Sequence, residues 1–130
     1  QTMIRHKDTY QVFMAYRLPV AYDAGAWRRA VAGWIQRHDC LRSYAHAWDD
    51  GSATMVVLDA IDPPLRTHRV APGAQAATVE ALIAEGRRAP VHVDRAPLFG
   101  LDTIDAGGED FHVVLSIHHL IHDGWSIDLL

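Results

Sequence analysis

The sequence predicts an α+β domain in which two long helices cover a mostly antiparallel sheet. Several short runs are rich in aromatic and β-branched residues, which is typical of strands. Two longer segments repeat apolar residues at steps of three and four, which indicates helices. These elements do not alternate strictly as strand, helix and strand. An all-parallel sheet is therefore not expected.

The first part of the chain predicts one strand and one helix. Tyr10 to Leu18 alternates in character and predicts a strand. Asp23 then provides a helix N-cap, and the helix extends from about Ala24 to Asp39. The apolar stripe of this helix consists of Trp27, Ala30, Val31, Trp34 and Ile35. We expect its two tryptophans to pack on the sheet.

The middle of the chain predicts a hairpin and one further strand. The strands Arg42 to Trp48 and Thr54 to Leu58 flank the turn Asp49-Asp50-Gly51. An Asp-Gly pair between two apolar runs is a strong hairpin signal. Leu65 to Val70 predicts the additional strand.

The last part of the chain predicts a second helix and a second hairpin. The helix extends from Ala76 to Arg88, and its stripe contains Val79, Leu82 and Ile83. Pro90 ends the helix because proline disfavours helical geometry in the residue before it. The strands Leu98 to Ile104 and Phe111 to Ile117 follow, joined by Ala106 to Glu109.

Composition limits the class of protein. The chain has 130 residues, 49% of them hydrophobic, which suits one globular unit with a core. A net charge of -4 gives no basic footprint for nucleic acid. Cys40 is the only cysteine and follows an apolar helix, so we expect a buried, inert thiol in a reducing compartment.

No apolar run is long enough to span a bilayer, and no signal-peptide order is present, so a cytoplasmic protein without a membrane partner is expected. The ends, Gln1 and Asp128-Leu129-Leu130, suggest a fragment of a longer chain.

Polar residues are concentrated at the end of the last predicted strand. The segment Ser116 to Ser126 reads SIHHLIHDGWS. Strand ends before loops commonly carry functional side chains. Neighbouring strand residues face opposite sides, so one of His118 and His119 would face a cleft and the other would be held inside. An imidazole near its reference pKa of about 6.5 suits a general base.

Each of these residues also has a plain structural interpretation. Asp123 could orient a histidine or pair with an arginine, and the glycine amide at Gly124 could approach a substrate closely. Without a function, these two residues form an ordinary turn and His122 is a loop residue on the solvent side. The histidine spacing also suits zinc on a helix, but the loop is short and lacks cysteine and glutamate, so no metal site is expected.

Three segments together resemble a known family. His118 to Gly124 matches HHxxxDG, Arg37 to Ser43 (RHDCLRS) is similar to RHExLRT, and Val93 to Leu98 is similar to FDLxxxPLL. In this order they resemble the condensation domains of nonribosomal peptide synthetases, which are similar to chloramphenicol acetyltransferase and have two like lobes. Residues 1–130 resemble the N-terminal lobe of such a domain, without the C-terminal lobe.

The resemblance implies a role for each matching residue. His119 would be catalytic and face a tunnel between the lobes, where it takes a proton from the acceptor amine or positions that amine. Gly124 would contribute a backbone N–H near the oxyanion. His118, and an ion pair between Asp123 and Arg42, would support the site.

The resemblance also implies partners and a product class. Donor and acceptor peptidyl carrier proteins would deliver thioesters on 4′-phosphopantetheine arms, and the domain itself would bind no cofactor. An adenylation domain would lie nearby in a synthetase of antibiotics or other secondary metabolites. The isolated chain would be inactive because half of its cleft is missing.

Alternatives to a condensation catalyst are a coenzyme A-dependent acyltransferase, an epimerisation-type domain and a docking lobe without catalysis. Heterocyclisation is disfavoured, since that subgroup carries aspartates where this chain has His118 and His119.

Overall fold

The computed structural model describes residues 10–90 and 92–122 of the 130-residue chain. Within them lie six strands, two α-helices and two short 3-10 helices. The strands are β1 (Gln11–Leu18), β2 (Ser43–Ala47), β3 (Ala53–Val57), β4 (Leu65–Arg69), β5 (Phe99–Asp105) and β6 (Phe111–His118). The α-helices are α1 (Ala24–Arg37) and α2 (Gln75–Arg88), and the 3-10 helices are Asp39–Arg42 and His119–Ile121.

Each strand and helix predicted from the sequence within this part of the chain is present, with ends shifted by one or two residues. The helix predicted to reach Asp39 ends at Arg37, where the chain tightens into the 3-10 helix. Arg42 was expected to begin a strand and instead ends this 3-10 helix. The Asp23 carboxylate caps α1 as expected, accepting a hydrogen bond from the Ala26 amide at 2.9 Å.

The main sheet has four strands in the order β1-β6-β5-β4. β6 is antiparallel to both of its neighbours, whereas β4 and β5 are parallel and α2 connects them. β2 and β3 form a separate antiparallel hairpin. Its turn contains Gly51 at a φ of 85°, a conformation that favours glycine. The predicted α+β class with a mostly antiparallel sheet is confirmed.

The two helices cover opposite faces of the sheet. Successive side chains of a strand point to opposite faces, so alternate residues of β6 contact different helices. The core on the α1 face includes Val31, Ile35, Leu41, Leu101, Phe111, Val113, Leu115, Ile117 and Ile121. The core on the α2 face includes Leu82, Ile104 and Val114.

The tryptophans of α1 pack on the sheet as predicted. Trp27 lies edge-to-face against Phe111, and Trp34 lies edge-to-face against Phe99, with ring centroids 5.3 and 5.5 Å apart. Trp27 also donates its indole N–H to the buried Thr103 hydroxyl at 2.9 Å. This polar contact fixes the helix at one register on the sheet, which in turn fixes where α1 hands the chain over to the Arg42 segment.

Candidate active site

The histidine cluster begins where β6 ends. His118 is the last residue of the strand and is half-buried. Its Nδ1 accepts a hydrogen bond from the Leu120 amide at 3.0 Å, which caps the 3-10 helix that follows. Because Nδ1 is an acceptor, the neutral ring carries its proton on Nε2. Burial, and then the neighbouring imidazoles of His119 and His122, lower the pKa of His118 below its usual 6.5.

His119 begins the 3-10 helix and is exposed. Its ring stacks on that of His122, with centroids 4.8 Å apart and the ring planes within 13° of parallel. One face of the His119 imidazole is thus covered, while the residue as a whole remains accessible. This is the accessibility that a general base for an external reactant needs.

His122 is placed differently from the sequence-based expectation. We expected a loop residue on the solvent side, and this was wrong, since His122 is only 5% exposed. Its Nδ1 donates to the His118 carbonyl at 3.0 Å. Its Nε2 is buried and has no hydrogen-bond partner among residues 10–90 and 92–122. The burial results from the 3-10 helix, which turns the chain back onto the core at Ile121.

Arg42 lies in the second predicted motif and is buried at 7% exposure. Its Nε donates to the Ile35 carbonyl at 3.2 Å, and its Nη1 donates to the Leu58 carbonyl at 2.5 Å. Its Nη2 donates to the exposed carboxylate of Asp39. The guanidinium therefore joins the end of α1 to the chain that leaves β3. No sequence signal pointed to these carbonyl contacts, since their donors and acceptors are up to 16 residues apart.

Asp123 and Gly124 lie outside the residues that the structure describes. The predicted pair between Asp123 and Arg42, and the predicted oxyanion contact of the Gly124 amide, therefore stay predictions. The same holds for the assignment of His119 as the catalytic group and of His118 as its support.

A cleft of about 450 Å³ lies beside His118, on the α2 face of the sheet. Ser116 and Gly100 line it next to His118, and Asp102 lines its far side. The Asp102 carboxylate accepts hydrogen bonds from Arg66 Nε and pairs with His68 Nε2, both at 2.8 Å. Sequence reasoning missed this network. Arg66 and Asp102 are direct neighbours in the parallel β4–β5 pair, a pairing that the sequence did not predict.

The described residues give no indication of a metal site. They contain no group of three or more histidine, cysteine, aspartate or glutamate side chains arranged to hold an ion. In the histidine cluster, His118 and His122 use their Nδ1 atoms for backbone contacts, and the rings of His119 and His122 face each other. Stacked rings do not direct two lone pairs at one point. No helix in residues 10–90 and 92–122 is long and apolar enough to cross a bilayer.

Comparison with known proteins decides the family. The family model of the condensation domain matches residues 1–130, the whole of this sequence. The chain belongs to the condensation-domain family. The resemblance found in the three sequence segments is thereby confirmed.

Curated relatives of this condensation-domain chain are peptide synthetases. It is 28% identical over 130 residues to one of the proteins of linear gramicidin synthase of Brevibacillus parabrevis, covering 98% of this chain and 2% of that protein. It is 31% identical over 127 residues to phosphinothricin tripeptide synthetase PhsC of Streptomyces viridochromogenes, covering 95% of this chain and 12% of that protein. The chain thus spans a small part of the length of these relatives.

Solved structures share the fold. The chain superimposes on the first condensation domain of the calcium-dependent antibiotic synthetase with a TM-score of 0.81, 17% identity and coverage of 98% of this chain and 34% of that chain. It superimposes on AB3403, a four-domain nonribosomal peptide synthetase, with a TM-score of 0.75, 22% identity and coverage of 93% and 9%. The condensation-domain chain therefore has the chloramphenicol acetyltransferase-like fold that was expected.

Proposed function

We propose that this chain is the N-terminal lobe of a condensation domain and that His119 acts on the acceptor amine during amide-bond formation. The observation that carries this proposal is the position of His119. Its imidazole is exposed at the end of the central strand β6, one face against His122 and the remainder open to a reactant. A side chain that must meet a substrate has to be both accessible and held in place.

In the proposed reaction, the α-amine of the acceptor attacks the carbonyl carbon of the donor thioester. A C–N bond forms, the C–S bond breaks, and the electron pair of the C–S bond leaves on the thiolate. His119 takes the proton that the amine loses, or holds the amine as its charge develops, and the proton is later returned to the thiolate. The amide N–H of Gly124 stabilises the negative charge on the carbonyl oxygen.

The partners follow from the same proposal. Donor and acceptor peptidyl carrier proteins present their thioesters on 4′-phosphopantetheine arms, and the chain itself binds no cofactor. A C-terminal lobe completes the tunnel, and an adenylation domain lies in the same cytoplasmic synthetase. The isolated chain is inactive because the second wall of the tunnel is missing. The names of the curated relatives, which are peptide synthetases, favour this function over a coenzyme A-dependent acyltransferase.

The proposal is tested by His119→Ala in the full-length protein that contains these residues. Amide formation from loaded carrier proteins is expected to fall by roughly 100-fold or more, the upper part of the range for a lost acid–base group. His46→Ala is the matched control, because His46 lies on the separate β2–β3 hairpin and packs on Trp48. Undiminished product from the His119 variant would remove this residue from the reaction.

The proposed pair of Asp123 with Arg42 has its own test. The guanidinium has five N–H donors, and three of them take part in the contacts to Ile35, Leu58 and Asp39. Two donors remain for a second carboxylate. A double-mutant cycle with Arg42→Met and Asp123→Asn should give a coupling free energy of about 1 kcal/mol or more in unfolding. Additive effects of the two substitutions would contradict the pair.

A further inference from the structure

The stacked pair of His119 and His122 results from local backbone geometry. Side chains three residues apart eclipse one another along a 3-10 helix. His119 begins such a helix and His122 directly follows its last residue, Ile121. The two imidazoles therefore lie one above the other, with centroids 4.8 Å apart and planes 13° from parallel.

The two rings differ in how firmly they are held. His122 is 5% exposed, and its Nδ1–H donates to the His118 carbonyl at 3.0 Å. His119 is exposed. The buried ring is thus a fixed platform, and the exposed ring rests on it.

The buried ring is also held in its neutral form. Since Nδ1 donates its hydrogen to a carbonyl, the lone pair of the neutral ring is on Nε2. A proton on this atom would be a buried donor that lacks an acceptor among the described residues. The third imidazole of the cluster, His118, accepts a hydrogen bond at Nδ1 and so opposes protonation there. Of the three rings, His119 is the accessible one.

We propose that His122 is a positioning residue for His119: its neutral ring limits the orientations of the His119 imidazole and stabilises the imidazolium that forms when His119 takes a proton. The face of an aromatic ring attracts a cation. This inference rests on the proposed function, because it assigns His122 a part in the reaction of His119. It adds a residue that the HHxxxDG pattern leaves unspecified.

Three substitutions separate the ring of His122 from its hydrogen bond. His122→Phe keeps an aromatic face and loses the Nδ1–H donor. His122→Asn keeps a side-chain donor at a similar reach and loses the ring. His122→Ala loses both. Each variant is made in the full-length protein, and kcat and the KM for the acceptor carrier protein are measured beside thermal unfolding.

A positioning role predicts that activity follows the ring. The Asn and Ala variants should lose roughly 10- to 100-fold in kcat, the scale expected when a reacting group is misplaced, while KM stays within about 3-fold. The Phe variant should retain kcat within about 3-fold of the parent. A merely structural role predicts the reverse order, in which the Asn variant retains both stability and kcat because it keeps the hydrogen bond.

Two results overturn the proposal. One is an Asn variant with undiminished kcat, which decides the matter even if the Phe variant does not fold. The other is a loss in the Ala variant that persists at the same fold-change on a His119→Ala background, since a residue acting through His119 has nothing left to position there. Failure of the proposed function is distinguishable, because His119→Ala alone would then leave amide formation intact.

Discussion

Replacing Arg42 with methionine should lower the free energy of unfolding of the complete condensation domain by about 2–5 kcal/mol. The guanidinium is 7% exposed and donates to two backbone carbonyls, those of Ile35 and Leu58. Each carbonyl left without its donor costs about 1–3 kcal/mol. Ile35 retains a long contact of 3.4 Å from the His38 amide, so Leu58 is the larger loss. Methionine fills most of the same volume, which keeps the cavity term small.

The matched control is Asp39→Asn. The third hydrogen bond of Arg42 goes to Asp39, whose carboxylate is 77% exposed. Solvent screens such a pair, so its loss should cost less than about 1 kcal/mol. The two variants therefore separate a buried contact between guanidinium and carbonyls from a surface ion pair.

Urea unfolding followed by tryptophan fluorescence measures both variants, and equal m-values establish that the same transition is compared. The reasoning is refuted if Arg42→Met loses less than about 1 kcal/mol, or if both variants lose the same amount. Either result would mean that the carbonyls of Ile35 and Leu58 do not depend on the guanidinium.

Three further predictions concern single groups in the fold. A Cβ on Gly86 would lie 2.4 Å from a ring carbon of Phe13, so Gly86→Ala should destabilise the domain by about 1–3 kcal/mol, whereas Gly33→Ala, with open space around it, should be neutral or stabilising; thermal melts in which both behave alike would contradict this. Burial and two neighbouring imidazoles lower the pKa of His118 below 6.5, so the unfolded chain binds more protons and stability should fall as the pH drops below about 6.5. His118→Asn should flatten this slope in urea titrations, and an unchanged slope would count against the burial of the imidazole. Burial raises the pKa of the Cys40 thiol, so it should react with iodoacetamide several-fold more slowly than glutathione at pH 8, as followed by mass spectrometry, and an equal rate would show an open thiol.

The elements of the fold were predictable because each has a local signal. The aromatic alternation of β1, the Asp23 cap with its two tryptophans, and the Asp-Gly turn of the β2–β3 hairpin each follow from neighbouring residues. The parallel pairing of β4 with β5 was not predictable in this way. Their partners, such as Arg66 and Asp102, lie 36 residues apart, and only the crossover through α2 brings them together.

The candidate site was predictable in its location and not in its internal arrangement. The run of polar residues after an apolar strand indicated the end of β6 as the site. The burial of His122 depends on a 3-10 helix of three residues, which is too short to produce a periodic pattern. The carbonyl contacts of Arg42 depend on where α1 ends and where the chain leaves β3, and no residue type specifies these.

The described contacts of the histidine cluster are short in sequence, and this bears on what the rest of the site must supply. His118 contacts Leu120, its carbonyl contacts His122, and His122 stacks on His119, all within five residues. The orientation of these imidazoles therefore arises from the strand end and the 3-10 helix themselves. Nothing in these contacts covers the open side of His119, which is exposed. A reaction that requires a water-excluded environment around this ring needs a second wall from outside the described residues, which is the part that the proposed C-terminal lobe would play.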